Sequence, residues 1–298
     1  MAFEGIRPVL HAPFRAGPDE SVEHGELRAL VEHVLAFGSD GLVVLGLATE
    51  TWAIRESERD EILATVTDAA GGRVPLVVGI DGATQVAVGR ARRAAGAGVS
   101  GLMVLPPGTA KSTAQLVAHY RAIADATGLP VLIQDSPQVT GVTLTIETLV
   151  SLRQADPLLG SLKVEVAGAG AKVSAAIAAG IEVIAGWGGL NYLESMRRGA
   201  VGCMPGCDLG AAILDIDRRW RSGDADGADA AYRRILPLLS YVGQSLDLLV
   251  LGSKRMLRRT GIFTSENMRQ PSRSLDREEA ATIDALLDQL ALEGAPGF

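Results

Sequence analysis

The chain has 298 residues, 47% of them hydrophobic and 21% charged, and a net charge of −7 at pH 7. This is a globular profile, long enough to bury a sizeable core as one large domain or two small ones. A pI near 5.2 argues against a broad basic face for nucleic acid or for an anionic membrane, and 4% aromatics leave few stacking platforms for bases or sugars.

Short apolar runs recur along the chain at residues 6–12, 41–47, 75–80, 101–105, 130–134, 161–166, 182–186 and 201–204. They are nearly continuous, as in strands buried on both faces of a parallel sheet. Longer amphipathic runs lie between them. Residues 22–37 place Val22, Leu27, Leu30, Val31, Val34 and Leu35 on roughly one face, and residues 85–97, 113–127, 146–155 and 171–179 behave alike. Gly38, Gly98, Gly128, Gly180 and Gly199 stand where these helices end, each a candidate left-handed cap. Eight β-then-α units predict an α/β fold, a (β/α)8 TIM barrel. An open doubly wound sheet would carry a glycine-rich phosphate turn after the first strand, and HAPFRAGPDE is no such turn. After Met204 the period is helical over 209–222, 226–252 and 278–292, while 263–275 is polar and irregular. The expected organisation is a barrel over residues 1–208 and a C-terminal helical extension over 209–298, packed on the barrel or on a neighbouring subunit.

No apolar run is long enough for a transmembrane helix, and MAFEGIRPVL has no signal-peptide pattern. Cys203 and Cys207, four apart with no histidine beside them in sequence, suggest neither a zinc site nor a disulfide framework. A reducing cytoplasm is therefore expected. Of the histidines, His24, His33 and His119 fall in predicted helices or their approaches, and His11 lies near a strand end. No spacing matches a metal site, so no metal and no cofactor is expected.

Barrel enzymes act at the C-terminal ends of their strands. Only four of the 28 basic residues are lysine: Lys111, Lys163, Lys172 and Lys254. Lys163 sits in the otherwise apolar GSLKVEV. Burial disfavours an ammonium, and a neutral amine can attack a carbonyl and form a Schiff base. The alternative is a structural lysine paired with Glu165, and spacing alone admits both. Strand alternation puts Lys163 and Glu165 on one face. In VLIQDSP, Gln134 and Ser136 share a face and Asp135 takes the other. LGLATET offers Thr49, Glu50 and Thr51, residues that also suit helix caps.

Several segments together resemble the dihydrodipicolinate synthase and N-acetylneuraminate lyase family of class I Schiff-base barrels. They are GLATE (46–50), VPLVVGIDG (74–82), GAGVSGLMVLPP (96–107), PVLIQDSPQVTG (130–141), SLKVEV (161–166), IAGWGG (184–189), RGAVGCMPG (198–206) and the tail SKRMLRRTGIF…MRQP. Their order and spacing carry the resemblance. It implies Lys163 as the Schiff-base residue, a small-molecule 2-keto acid as substrate and a homotetramer as the assembly. The family's proton-shuttling tyrosine on strand five is replaced by Gln134. Its tyrosine pair after strand four falls at Pro107, Gly108 and Thr109, its carboxylate-binding arginine at Val139, and its paired hydroxyl residues at Leu47 and Ala48. Lysine biosynthesis and sialic acid cleavage are thus poor readings.

IQDSP and LKVEV, with Lys172 nine residues after Lys163, look closer to the 2-keto-3-deoxy-L-arabonate dehydratase group. That branch implies a lyase dehydrating a 2-keto-3-deoxy sugar acid. The alternatives are retro-aldol cleavage to pyruvate and an aldehyde, or a non-catalytic sugar-acid binder. With Gln134 unable to titrate, Glu165 becomes the acid–base candidate, its pKa raised by a partly apolar mouth or, alternatively, a salt-bridge partner of Lys163 or Lys172. Gln134, Ser136, Thr49, Ala48 and Gly186 complete the expected substrate-binding set.

Overall fold

The computed structural model describes residues 2–297. Every apolar run overlaps a strand, the first run only at Ile6: β1 (Gly5–Ile6), β2 (Leu42–Val44), β3 (Leu76–Ile80), β4 (Gly101–Val104), β5 (Val131–Asp135), β6 (Ser161–Val164), β7 (Glu182–Ala185) and β8 (Gly202–Cys203). Twelve α-helices accompany them among the described residues. They are α1 (His24–Ala36), α2 (Glu56–Ala70), α3 (Thr84–Gly96), α4 (Thr113–Thr127), α5 (Pro137–Thr140), α6 (Ile146–Ala155), α7 (Ala169–Ala178), α8 (Tyr192–Arg197), α9 (Gly210–Arg221), α10 (Ala225–Val242), α11 (Leu246–Arg259) and α12 (Arg277–Leu292).

From β2 to β8 each strand neighbours its successor in the sheet, and β1 lies beside β8. Val9 makes parallel bridges to both Val43 and Gly206. A doubly wound sheet would reverse its strand order partway, so this topology is that of a (β/α)8 barrel with C-terminal helices.

Two compact units are distinguishable. The first is built on Pro75–Trp187 and Asn191–Met204 with the residues up to Gly5, the second on Ile6–Val74, Gly188–Leu190 and the chain from Pro205 onward. In the first unit Val77, Leu102, Leu132, Leu162 and Val183 are fully buried, because both faces of these parallel strands are covered. The helical stripes Ala87–Ala91–Ala94 and Leu116–Tyr120–Ile123 bury at three- and four-residue spacing. In the second unit Leu27, Leu30, Val31 and Val34 of α1 and Ile283, Leu287 and Leu290 of α12 do the same.

The predicted 226–252 helix is two helices. Gly243 closes α10, and extended Ser245 caps α11, its Oγ accepting the Leu248 N–H at 3.1 Å. The cap satisfies a backbone donor that a continuous helix would have bonded internally. Helix α2, which the apolar pattern did not single out, is held by Ile62, Leu63 and Val66 set among charged residues. No helix among the described residues is long and apolar enough to cross a membrane.

Candidate active site

In the first unit, β5, β6 and β7 run in parallel register, with Gln134 opposite Lys163 and Lys163 opposite Ile184. Alternation along the strands sends Gln134, Lys163 and Glu165 to one side and Asp135 to the other. Lys163 is only 3% exposed and Glu165 only 7%. The Lys163 Nζ lies 2.9 Å from Glu165 Oε1, and the Gln134 amide donates to Glu165 Oε2 at 2.7 Å. The Trp187 N–H donates to Glu165 Oε1 at 3.2 Å. Trp187 itself is left-handed, at φ 51°.

Gly186 completes this arrangement by having no side chain. A Cβ there would stand 2.4 Å from Glu165 Cγ and 2.8 Å from its Oε1. The Glu165 carboxylate therefore fills the volume above Gly186. Burial pushes the Glu165 carboxyl up, but the Lys163 charge and the hydrogen bonds from Gln134, Lys163 and Trp187 together outweigh it. The net shift is below the ordinary carboxylate value. This corrects the expectation of a raised pKa: the carboxylate is buried, but it is fully partnered there.

Ser136 is buried, and its Oγ accepts from the Gln138 amide at 2.7 Å. Asp135 and Lys172 form a separate ion pair, and the Lys172 ammonium also donates to the Leu144 carbonyl at 2.5 Å. The sequence offered Lys172 as an alternative salt-bridge partner for Glu165; it pairs instead with Asp135, a residue given no role, and Glu165 pairs with Lys163. The available signal was the scarcity of lysine: three of the chain's four lysines are in buried or part-buried pairs with carboxylates.

The second unit holds Thr49, Ala48 and Glu50, all buried. The Thr49 hydroxyl donates to the Leu10 carbonyl at 2.6 Å rather than capping a helix. Glu50 is left-handed at φ 62°, pairs with Lys254 and accepts the Arg269 N–H at 3.2 Å. Arg269 clasps Glu58 with two 2.6 Å bonds, and Lys254 and Arg269 both lie over the Phe14 ring, at 4.5 and 4.3 Å. Cys207, which lacks a histidine nearby in sequence, meets His11 in space, with Sγ 3.1 Å from Nδ1. Burial and then the Lys254 charge lower the His11 pKa to about 3, so the imidazole is neutral.

The model of the Dihydrodipicolinate synthetase family matches residues 2–290. The L-2-keto-3-deoxyarabonate dehydratase of Azospirillum brasilense is 32% identical, covering 98% of this chain and 96% of its own. The 4-hydroxy-tetrahydrodipicolinate synthase of Acidothermus cellulolyticus is 31% identical, covering 87% of this chain and 84% of its own. A solved dihydrodipicolinate synthase from Rhodopseudomonas palustris has the same fold, with a TM-score of 0.88 at 23% identity, covering 97% of this chain and 98% of its own.

Proposed function

This chain belongs to the dihydrodipicolinate synthetase family, and on that premise we propose that it is a Schiff-base lyase that dehydrates a 2-keto-3-deoxy sugar acid. The observation that carries the proposal is the buried Lys163 amine 2.9 Å from a carboxylate that can take its proton. Transfer of that proton to Glu165 frees the nitrogen lone pair. The amine then adds to the C2 ketone, and the carbinolamine loses water as Glu165 returns the proton. The iminium draws electrons from C3, whose proton leaves to Glu165 directly or through one water. The enamine pushes out the C4 hydroxyl, which departs as water with that proton.

Gln134 holds Glu165 and presents its amide toward a substrate hydroxyl or carboxylate. It cannot shuttle protons, which assigns acid–base work to Glu165. The name of the Azospirillum relative favours dehydration. The synthase names among other relatives favour carbon–carbon bond chemistry on the same iminium. Product analysis separates these outcomes: an intact carbon chain marks dehydration, and pyruvate plus an aldehyde marks cleavage. The Schiff base itself is tested by borohydride reduction with pyruvate or a 2-keto-3-deoxy acid. A stable mass adduct on Lys163, absent in Lys163→Ala, is expected. Failure across a panel of keto acids would leave a binder of the same fold and no lyase.

A further inference from the structure

Resting on the reading of Lys163 as the Schiff-base amine, we infer that Lys172 and Asp135 are positioning residues for it. Their ion pair cancels a buried charge beside Glu165 and ties the turn carrying Glu165 to the end of β5. Asp135 acts with both its main chain and its side chain. Its carbonyl accepts the Glu165 N–H at 3.0 Å, while its fully buried carboxylate pairs with Lys172. Lys172 lies near the start of α7, the helix that follows directly from this turn. Its second bond, to the Leu144 carbonyl, fixes the ammonium from another direction.

The charged and titratable groups around the pair are few. Asp135 faces Lys172 from α7, Glu165 from the turn after β6 and Tyr120 from α4. The Tyr120 hydroxyl donates to the Val104 carbonyl at 3.2 Å, so Lys172 supplies the countercharge for Asp135. Glu165 in turn faces Lys163, the Gln134 amide and the Trp187 N–H. Burial pushes the Asp135 carboxyl up, and the Lys172 hydrogen bond and charge pull it back. Charge is thus balanced twice in neighbouring layers, Lys163 against Glu165 and Lys172 against Asp135.

Removing one member of the outer pair leaves a net charge within reach of the inner one. A lone carboxylate there disfavours loss of positive charge from the inner pair, and a lone ammonium favours it. A pair that only held α7 in place would alter stability or adduct yield without moving the pH dependence in opposite directions.

The test is the pH dependence of borohydride trapping of pyruvate on Lys163, read by mass on the full chain. Lys172→Met is expected to move the rising midpoint up by about one pH unit, and Asp135→Asn to move it down by a similar amount. Lys172→Arg and the double variant Lys172→Met/Asp135→Asn are expected to stay within about 0.3 units of the parent. If Lys172→Met does not fold, the Asp135→Asn shift decides alone. Single variants that share the parent midpoint, or that shift in the same direction, overturn the inference. A parent chain that forms no adduct removes the Schiff-base reading and this inference with it. A parent adduct with unmoved variants removes this inference only.

Discussion

Gly186→Ala isolates the packing of Glu165 from its chemistry. Gly186 has an ordinary negative-φ backbone that alanine can adopt, so the perturbation is the added methyl alone. That methyl would sit 2.4 Å from Glu165 Cγ, 2.8 Å from Oε1 and 3.0 Å from Cδ, where ordinary contact begins at 3.4 Å. Relief needs a movement of about 1 Å, and a displacement of that size at a reacting centre can cost on the order of 10²-fold in rate. Glu165 cannot yield cheaply, because Lys163, Gln134 and the Trp187 N–H hold it. Overpacking of this kind also costs about 1–3 kcal/mol of stability. Urea unfolding gives the second quantity, and the initial rate of borohydride-trapped adduct on Lys163 gives the first. A variant with parental stability and a trapping rate within two-fold of the parent would refute the idea that the empty volume at residue 186 shapes the site.

Three further outcomes follow from the same contacts. Glu165→Gln keeps the shape but removes the proton acceptor, and turnover of a 2-keto-3-deoxy acid is expected to fall by about 10²–10⁴-fold. Turnover within a few-fold of the parent, with Lys163→Ala inactive, would remove Glu165 from the acid–base role. Lys254→Met strands the buried Glu50 carboxylate and is expected to cost about 3–5 kcal/mol in urea unfolding, with a loss under about 1 kcal/mol counting against it. Burial raises the Asp208 carboxyl to about 6, against a partial pull back from Ser253. A carboxyl with a raised folded pKa adds stability while protonated and loses that contribution as pH climbs through the folded value. Asp208→Asn should therefore gain about 2 kcal/mol on the parent between pH 4 and pH 7. A difference that is flat with pH would show that this carboxyl does not titrate as argued.

The eight strands were legible because parallel strands covered on both faces must be apolar throughout, as Val77, Leu102 and Val183 are. The break between α10 and α11 was not, because Gly243 and Ser245 sit within an apolar period that continues across them. Helix α2 was masked by its charges, which thin the stripe formed by Ile62, Leu63 and Val66. At the candidate site, Lys163 stood out as a charge in an apolar strand, and alternation put Glu165 on its face. Asp135 was visible as a residue on the opposite face, but the cation it meets lies 37 positions along the chain, beyond any local pattern. The His11–Cys207 contact spans 196 positions and has no sequence signature at all.

The placing of the lysines also determines how the molecule meets reagents. Lys163, Lys172 and Lys254 are turned inward, and Lys111 is the one exposed lysine. Arginine covers the rest of the cationic surface, so amine-selective labels, crosslinkers and resins would find a single side-chain handle. A dye attached there would leave the buried Lys163 and Lys254 amines unmodified.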